Sequence, residues 1–121
     1  MTTDRRQRLG EIGEDHAAEH FARLGYEVLA RNHRTRYGEL DLIARDGGVL
    51  VFAEVKTRRA GSGRPFDNLD AAKQQQVRRM AAAYLAEVDR PFVPEMRFDA
   101  IGIVLDARGE LVSLDHLEGA F

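Results

Sequence analysis

The sequence predicts an α/β domain in which a central mixed sheet of about five strands is flanked by helices. Segments with helical spacing of apolar residues alternate with short strand-like segments, in the order α-β-β-β-α-β-β. The chain has 121 residues, which is enough for one core of moderate size. No repeat or linker divides it, so residues 1–121 are expected to form a single domain, with residues 1–8 as a flexible tail.

Local signals define each element in turn. The first helix is predicted over residues 8–24 and ends at Gly25, because glycine accepts the left-handed conformation that closes many helices. The second helix is predicted over residues 70–88, with Asn68 or Asp70 as its N-cap. The predicted strands cover residues 26–32, 39–44, 49–57, 96–105 and 111–117.

Composition excludes several classes of protein. The apolar fraction of 44% and the charged fraction of 31% are typical of a folded globular domain. No apolar run approaches the length of about 20 residues that a membrane span needs. The N-terminus lacks the apolar segment of a signal peptide, and the chain contains no cysteine. A cytoplasmic location is therefore expected.

Charge is distributed unevenly along the chain. Residues 31–79 carry 11 basic and 6 acidic side chains, whereas the segments before and after them are both acidic. A basic segment of this kind attracts polyanions even when the whole protein, with a net charge of −2, is mildly acidic. Nucleic acid is accordingly the expected partner.

Four charged side chains interrupt the apolar hairpin of residues 39–57, namely Glu39, Asp41, Glu54 and Lys56. Side chains alternate along a strand, so the first two share a face of one arm and the last two share a face of the other. An unpaired buried carboxylate costs several kcal/mol, so these groups must meet a cation, a metal ion or water.

The turn decides whether the four groups meet. A two-residue loop at residues 47–48 sets Asp41 opposite Glu54, and a loop at residues 46–47 sets Asp41 opposite Phe52, diagonal to Glu54. Either loop gives one polar cluster, whereas a three-residue loop would split it. The same alternation puts Leu40 and Leu42 together on the opposite face.

Two interpretations of this cluster stay open at this point. A structural network would pair Glu39 with Lys56 and leave the other groups solvated, although the surplus carboxylates would then repel each other. A divalent metal ion removes that repulsion, and oxygen ligands from two carboxylates suit Mg²⁺ or Mn²⁺. Such an ion activates water and neutralises a phosphate.

Asp41, twelve intervening residues and then Glu54-Val55-Lys56 resemble the PD-(D/E)XK signature of restriction-endonuclease-like nucleases. The longer string GELDLIA…FAEVKTR, with RNHR before it and RFD after it, resembles the YraN-type family of bacterial proteins. That family is similar to archaeal Holliday junction resolvases and is described as a family of candidate endonucleases. The resemblance extends from about residue 10 to residue 117, and it implies a restriction-endonuclease-like α-β-β-β-α-β core.

The resemblance implies a role for each signature residue. Asp41, Glu54 and the backbone carbonyl of Val55 would ligate Mg²⁺ or Mn²⁺, and Lys56 would position or activate the attacking water. Glu14 matches the acidic residue that these nucleases carry on the first helix, as a catalytic residue and a further candidate ligand. The alternative for Glu14 is a partly exposed glutamate favoured by the helix dipole.

Basic side chains on the flanking loops are the candidate phosphate contacts. They are Arg34, Arg36, Arg58, Arg59, Arg64 and Lys73. By resemblance, Lys73 matches a helical position that contacts the scissile phosphate, the alternative being an ordinary solvated lysine. A structural role is expected for Glu39 and for Asp99, the latter paired with Arg97 or with the backbone.

The leading functional prediction is a Mg²⁺- or Mn²⁺-dependent endonuclease that acts on DNA, including branched or damaged DNA. The alternatives are a non-catalytic module that binds nucleic acid or recruits a protein partner, and a purely structural charged network. Similarity to resolvases implies a symmetric homodimer. The string HAAEH at residues 16–20 matches the inverted zinc-protease motif, but those enzymes need a much larger fold, so zinc is not expected.

Overall fold

A computed structural model describes residues 2–66, 69–88 and 95–121, with only the backbone described for residues 2–6. The predicted order of elements is confirmed. The elements are α1 (Thr2–Arg23), β1 (Glu27–Thr35), β2 (Gly38–Asp46), β3 (Val49–Arg59), α2 (Ala71–Glu87), β4 (Glu95–Leu105) and β5 (Leu111–Leu117).

The five strands form one mixed sheet in the order β1-β2-β3-β4-β5. Strands β3 and β4 run parallel and are joined through α2, and the other neighbouring pairs are antiparallel. A parallel pair needs a crossover connection, and α2 supplies it. The α/β fold class and the α-β-β-β-α-β core predicted from the sequence are therefore confirmed.

The predicted helix caps are confirmed at Gly25 and Asp70, but the predicted start of α1 is wrong. Helix α1 begins at Thr2 rather than at residue 8. Gly25 follows it with φ +85°, and the N–H of Tyr26 donates to the carbonyl of Phe21 at 2.9 Å. The Asp70 side chain caps α2 and accepts from the backbone N–H of Lys73 at 2.9 Å. The other candidate cap, Asn68, lies outside the described residues.

The two faces of the sheet carry separate apolar clusters, one beneath each helix. The α1 side buries Ala17, Phe21, Leu42, Ala44, Val51, Ala53, Val55, Ile101, Ile103 and Leu105. The α2 side buries Leu40, Ile43, Leu50, Phe52, Val77, Met80, Ala81, Tyr84 and Phe98. Strand β3 contributes to both clusters, as expected for a strand covered on its two faces. In the described part of the chain, neither helix is long and apolar enough to cross a membrane.

The prediction that Leu40 and Leu42 share a face is wrong. Leu40 packs beneath α2 and Leu42 beneath α1, so the two-residue alternation is interrupted between them, at Asp41. Strand β1 pairs Arg31 with Leu42 and His33 with Leu40, which sets Asn32 opposite Asp41. Asn32 has φ +51°, a left-handed conformation that asparagine tolerates better than most residues. Both strands are therefore irregular at the same level.

A glycine lets α1 approach the sheet at the next level. A Cβ placed on Gly13 would overlap the Thr57 side chain, including its Cβ and Cγ2 at 2.9 Å. Rotating the Thr57 side chain cannot relieve this overlap, because the Cβ position is fixed by the backbone. The close approach of α1 to β3 at Gly13 holds the next residue, Glu14, over the end of the hairpin arms.

Substituting alanine for Gly13 should lower the free energy of unfolding by about 1–3 kcal/mol, because the added methyl group forces α1 away from β3. Gly10 is the matched control on the same helix, since a Cβ there meets nothing within 4 Å. Gly10→Ala should raise the free energy of unfolding by about 1 kcal/mol through helix propensity. Urea unfolding of the two variants measures both effects, and equal stability of the two would contradict the close packing.

Candidate active site

The hairpin turn has the two-residue form at Gly47 and Gly48. Its closing pair is Asp46 with Val49, and the ladder continues without a shift to Leu42 opposite Ala53. The next step of this register sets Asp41 opposite Glu54, as predicted for that loop. The β2–β3 ladder ends one residue before that step, so the two carboxylates lie where the strands begin to separate.

The Asp41 side chain takes over a backbone role at this point. Its Oδ2 accepts the N–H of Val55 at 2.8 Å. In a regular ladder, that donor would be satisfied by a carbonyl of the neighbouring strand. The carboxylate therefore ties β2 to β3 beyond the end of the ladder, and it brings Asp41 beside Glu54 and the Val55 backbone.

Glu54 is a buried carboxylate held by two lysines. Its side chain is 4% exposed, and its Oε1 lies 3.2 Å from Lys56 Nζ and 3.1 Å from Lys73 Nζ. Lys56 comes from the same strand and Lys73 from the first turn of α2. Lys73 is thus part of the site, and the pairing of Lys56 with Glu39 expected for a structural network is wrong. Glu39 instead lies 3.5 Å from Arg34.

The second carboxylate oxygen of Glu54, Oε2, lacks the cationic partners that Oε1 has. Oε2 is buried and has no hydrogen-bond donor among the described residues. An unsatisfied buried acceptor costs about 1–3 kcal/mol, and more when it carries charge. This oxygen is therefore oriented to receive a cation or a donor that the protein itself does not supply.

Electrostatics around Asp41 also indicate an excess of negative charge. Burial raises the pKa of Asp41 to about 8, and the nearby charges of Glu54 and Glu14 act in the same direction. The Val55 N–H and the Lys56 ammonium oppose the rise without cancelling it. Without a further cation, Asp41 is mainly protonated at neutral pH.

Glu14 reaches the same region from α1. Burial raises its pKa, while a hydrogen bond with Asn32 and the charge of Arg31 lower it. Asn32 was not singled out from the sequence, although its tolerance of the left-handed conformation within RNHR was an available signal. Glu14 is partly buried at this position on α1.

A cleft of about 640 Å³ opens between α1 and the end of β3, next to Asp41 and Glu54 but not lined by either of them. Glu14 and Lys56 lie in its wall, together with Arg58, Arg59 and the backbone near Gly10. We call it the main cleft. It gives a ligand access to Lys56 and to the end of the hairpin, and two of the predicted phosphate-binding arginines line it.

The remaining basic candidates lie elsewhere. Arg34 and Arg36 line a separate cleft with Glu39, where Arg34 is paired with that glutamate and Arg36 lies 4.9 Å from the ring centre of Tyr37. Arg64 is exposed on the loop between β3 and α2. The structure therefore pairs Lys73 with Glu54, and it places Arg58 and Arg59 in the main cleft with Glu14. The other three predicted residues do not line that cleft.

The donor set can be compared with the needs of Mg²⁺ or Mn²⁺. In the described segments, no three His, Cys, Asp or Glu side chains form a group that could hold a metal ion. Two carboxylates and a carbonyl remain, from Asp41, Glu54 and Val55, and hard cations of this kind bind proteins through one or two carboxylates with water completing the shell. The unsatisfied Glu54 Oε2 and the raised pKa of Asp41 both fit such a cation.

Asp99 belongs to a structural network away from the site, as expected. Arg97 donates to both of its oxygens at 2.8 Å, and the N–H of Gly119 donates at 3.0 Å. His116 Nε2 lies 2.7 Å from Asp99, and its Nδ1 lies 3.0 Å from His20 Nε2. Burial alone would raise the pKa of Asp99, but these hydrogen bonds hold it below its usual value. The network joins β4, β5 and α1, and it accounts for one histidine of HAAEH.

Known proteins resemble this chain over most of its length. The family model described as "Uncharacterised protein family UPF0102" matches residues 13–103. A UPF0102 protein of Nocardia farcinica is 44% identical over 117 residues, covering 96% of this chain and 91% of its own. Relatives from Symbiobacterium thermophilum and Dictyoglomus turgidum are 48% and 38% identical, covering 87% and 93% of this chain and 89% and 96% of their own.

Asp41→Asn should change the pH dependence of stability in metal-free buffer containing EDTA. The pKa of Asp41 is about 8 in the folded protein and 3.8 in the unfolded chain. Between these values the unfolded chain has lost the proton and the folded protein retains it, so the free energy of unfolding falls as pH rises. Asparagine keeps an acceptor for the Val55 N–H and does not titrate. The variant should therefore gain about 4 kcal/mol relative to the wild type between pH 5 and pH 8, at about 1.4 kcal/mol per pH unit.

Urea unfolding at several pH values measures this difference. Asp115→Asn is the matched control, because it makes the same chemical change at an exposed position on β5. A constant difference between Asp41→Asn and the wild type across that range would show that Asp41 is already ionised in the folded protein.

Proposed function

The chain belongs to the uncharacterised protein family UPF0102, the YraN-type family that its hairpin resembles, and we propose that it is a metal-dependent endonuclease. Its substrate would be the phosphodiester bonds of DNA, including branched or damaged DNA. The observation that carries the proposal is Glu54: a buried carboxylate with two lysines on one oxygen, an unsatisfied second oxygen, and Asp41 beside it.

Asp41, Glu54 and the Val55 carbonyl would hold Mg²⁺ or Mn²⁺. Bound there, the ion would supply Lewis-acid stabilisation of phosphate charge and a water of lowered pKa. Glu14 adds negative charge from α1, and it remains a candidate for a further ligand or for holding water in the main cleft. No separate redox or organic cofactor is needed for hydrolysis.

Lys56 is the residue that faces the substrate. It lines the main cleft, and its ammonium is held 3.2 Å from Glu54 Oε1. This contact limits the rotamers of Lys56, so that its ammonium can donate to a phosphate oxygen or orient the attacking water. Lys73 contacts the same oxygen from α2, and its ammonium is a second candidate donor to a phosphate.

A non-catalytic nucleic-acid-binding or partner-recruiting module is the second candidate. It is favoured by the pairing of Glu54 with two lysines, which neutralises that carboxylate without a metal. Such a module would keep the basic cleft and the fold while doing no chemistry. A symmetric homodimer and a cytoplasmic location are further proposals that follow from the family resemblance and from the absence of cysteine.

Cleavage of a labelled panel tests the proposed activity: duplex, single strand, flap, four-way junction and RNA, each with EDTA, Mg²⁺ or Mn²⁺. Glu54→Gln and Lys56→Ala should each reduce metal-dependent cleavage at least about 100-fold. Glu39→Gln is the matched control for Glu54→Gln, since it makes the same chemical change at an exposed residue that pairs with Arg34. Its cleavage rate should stay close to that of the wild type.

Thermal unfolding of each variant separates loss of chemistry from loss of fold. Cleavage that survives both substitutions would identify a contaminating nuclease and contradict the proposal. A folded wild type that binds the panel but cuts no substrate with either metal would favour the non-catalytic module.

A further inference from the structure

A second cleft, of about 440 Å³, lies beyond the main cleft. Three arginines from three different elements line it: Arg8 on α1, Arg59 at the end of β3 and Arg108 in the β4–β5 turn. The rest of its wall is apolar or glycine, with no carboxylate among the lining residues. We call it the arginine cleft. Neither Arg8 nor Arg108 was a candidate from the sequence.

The arginine cleft continues the main cleft. Leu9 and Arg59 line both. A strand whose scissile phosphate lies beside Lys56 could therefore pass Arg59 and reach Arg8 and Arg108 in the adjoining cleft. The successive phosphates of a nucleic-acid strand have the length and the regular charge spacing to contact both clefts.

The three guanidinium groups are available for a ligand. All three residues are exposed, and none of them makes an ion pair with a carboxylate among the described residues. Other exposed arginines do make such pairs, for example Arg45 with Glu27 at 2.7 Å and Arg31 with Asp15 at 2.6 Å. A phosphate can thus bind in the arginine cleft without displacing an internal partner.

The backbone that carries Arg108 is fixed before any ligand arrives. Asp106 accepts the N–H groups of Arg108 and Glu110 at 2.8 and 3.0 Å, and Gly109 completes the turn with φ +81°. A Cβ on Gly109 would lie 3.4 Å from Ile12, so this turn packs against α1. An ordered turn reduces the entropy lost when a side chain on it binds a phosphate.

Arg59 is held in a similar way from the other side. The N–H of the following residue, Ala60, donates to the carbonyl of Leu105 at 2.8 Å. The carbonyl of Arg59 itself accepts from the N–H of Ser62 at 3.0 Å and from its hydroxyl at 2.6 Å. Two of the three arginines therefore extend from backbone that is tied to β4 or to its turn.

The opposite side of Glu14 has the reverse charge. A cleft of about 300 Å³ there is lined by Glu11, Glu14 and Glu39. A phosphodiester backbone would be repelled from these carboxylates and attracted toward the arginines. The charge distribution therefore favours a strand path through the arginine cleft.

We propose that the arginine cleft binds backbone phosphates of the nucleic-acid substrate several nucleotides away from the scissile bond. This inference rests on the proposed function for the identity of the polyanion. Arginine suits the task because its planar guanidinium donates two parallel hydrogen bonds to one phosphate. The contacts carry no base information, so they increase affinity for every sequence alike.

Binding of a fluorescein-labelled DNA duplex of about 30 base pairs, followed by anisotropy in EDTA over a range of KCl concentrations, tests the proposal separately from cleavage. The double variant Arg8→Ala/Arg108→Ala should weaken binding several-fold at low salt and reduce the slope of log Kd against log[KCl] by about 1.8. Arg23→Ala/Arg45→Ala is the matched control, because it removes the same charge from two arginines that already have internal partners. Its slope should equal that of the wild type.

Unchanged slopes in the double variant, or equal losses in the double variant and the control, would overturn the arginine cleft. The proposed nuclease activity is tested independently of this binding assay, by the metal-dependent cleavage that Glu54→Gln should remove. A wild type that cleaves DNA while the double variant binds normally would reject the arginine cleft alone. If the double variant shows the reduced slope but the wild type cleaves no substrate, the nuclease proposal alone is rejected.

Discussion

A carboxylate inside a sheet must be neutralised, and the way Glu54 meets this requirement organises the site. Strand β3 is covered on both faces, so Glu54 has almost no access to solvent. Lys56 reaches it from the same strand, and Lys73 reaches it only because α2 begins where it does. The Asp70 cap sets that beginning through its hydrogen bond to the Lys73 backbone. The position of α2 and the charge balance around Glu54 are thus linked, since moving the helix would leave the carboxylate with one lysine instead of two.

The site also depends on the place where regular sheet structure stops. Asp41 supplies an acceptor that the β2–β3 ladder no longer provides, and Asn32 takes a left-handed conformation opposite it. Such irregularities are costly in an ordinary sheet, and they cluster where side chains must be presented to a ligand. Gly13 lies at the next level, where its missing side chain lets α1 carry Glu14 close to the separated strands. Two departures from regular sheet structure and one close helix approach therefore lie within one small region.

Predictions from the sequence were correct where turn length and apolar periodicity are regular, and wrong where the strand or helix pattern is interrupted. The Gly47–Gly48 turn fixed the hairpin register, and the register set Asp41 opposite Glu54. The face of Leu40 was mistaken because alternation assumes an unbroken strand. The first turns of α1 were missed because residues 2–8 carry no apolar stripe, which is the pattern from which helices are recognised in a sequence. Lys56 pairs with Glu54 and not with Glu39, the partner that the structural-network interpretation gave it. The sequence left this open, because the burial of Glu54 and the contact of Lys73 come from the packing of α2.

The sequence alone determined the order of elements, the α/β class, the family, and the residues of the hairpin that carry charge. Those properties follow from turn chemistry, apolar periodicity and a motif contained within about 20 consecutive residues. The tertiary structure decided which cations neutralise Glu54, which of its oxygens remains unsatisfied, and which arginines share a cleft. Arg8, Arg59 and Arg108 are far apart in the chain, and no local pattern relates them. They meet because α1 and the β4–β5 turn pack together at the end of β3, a contact that only the folded chain creates.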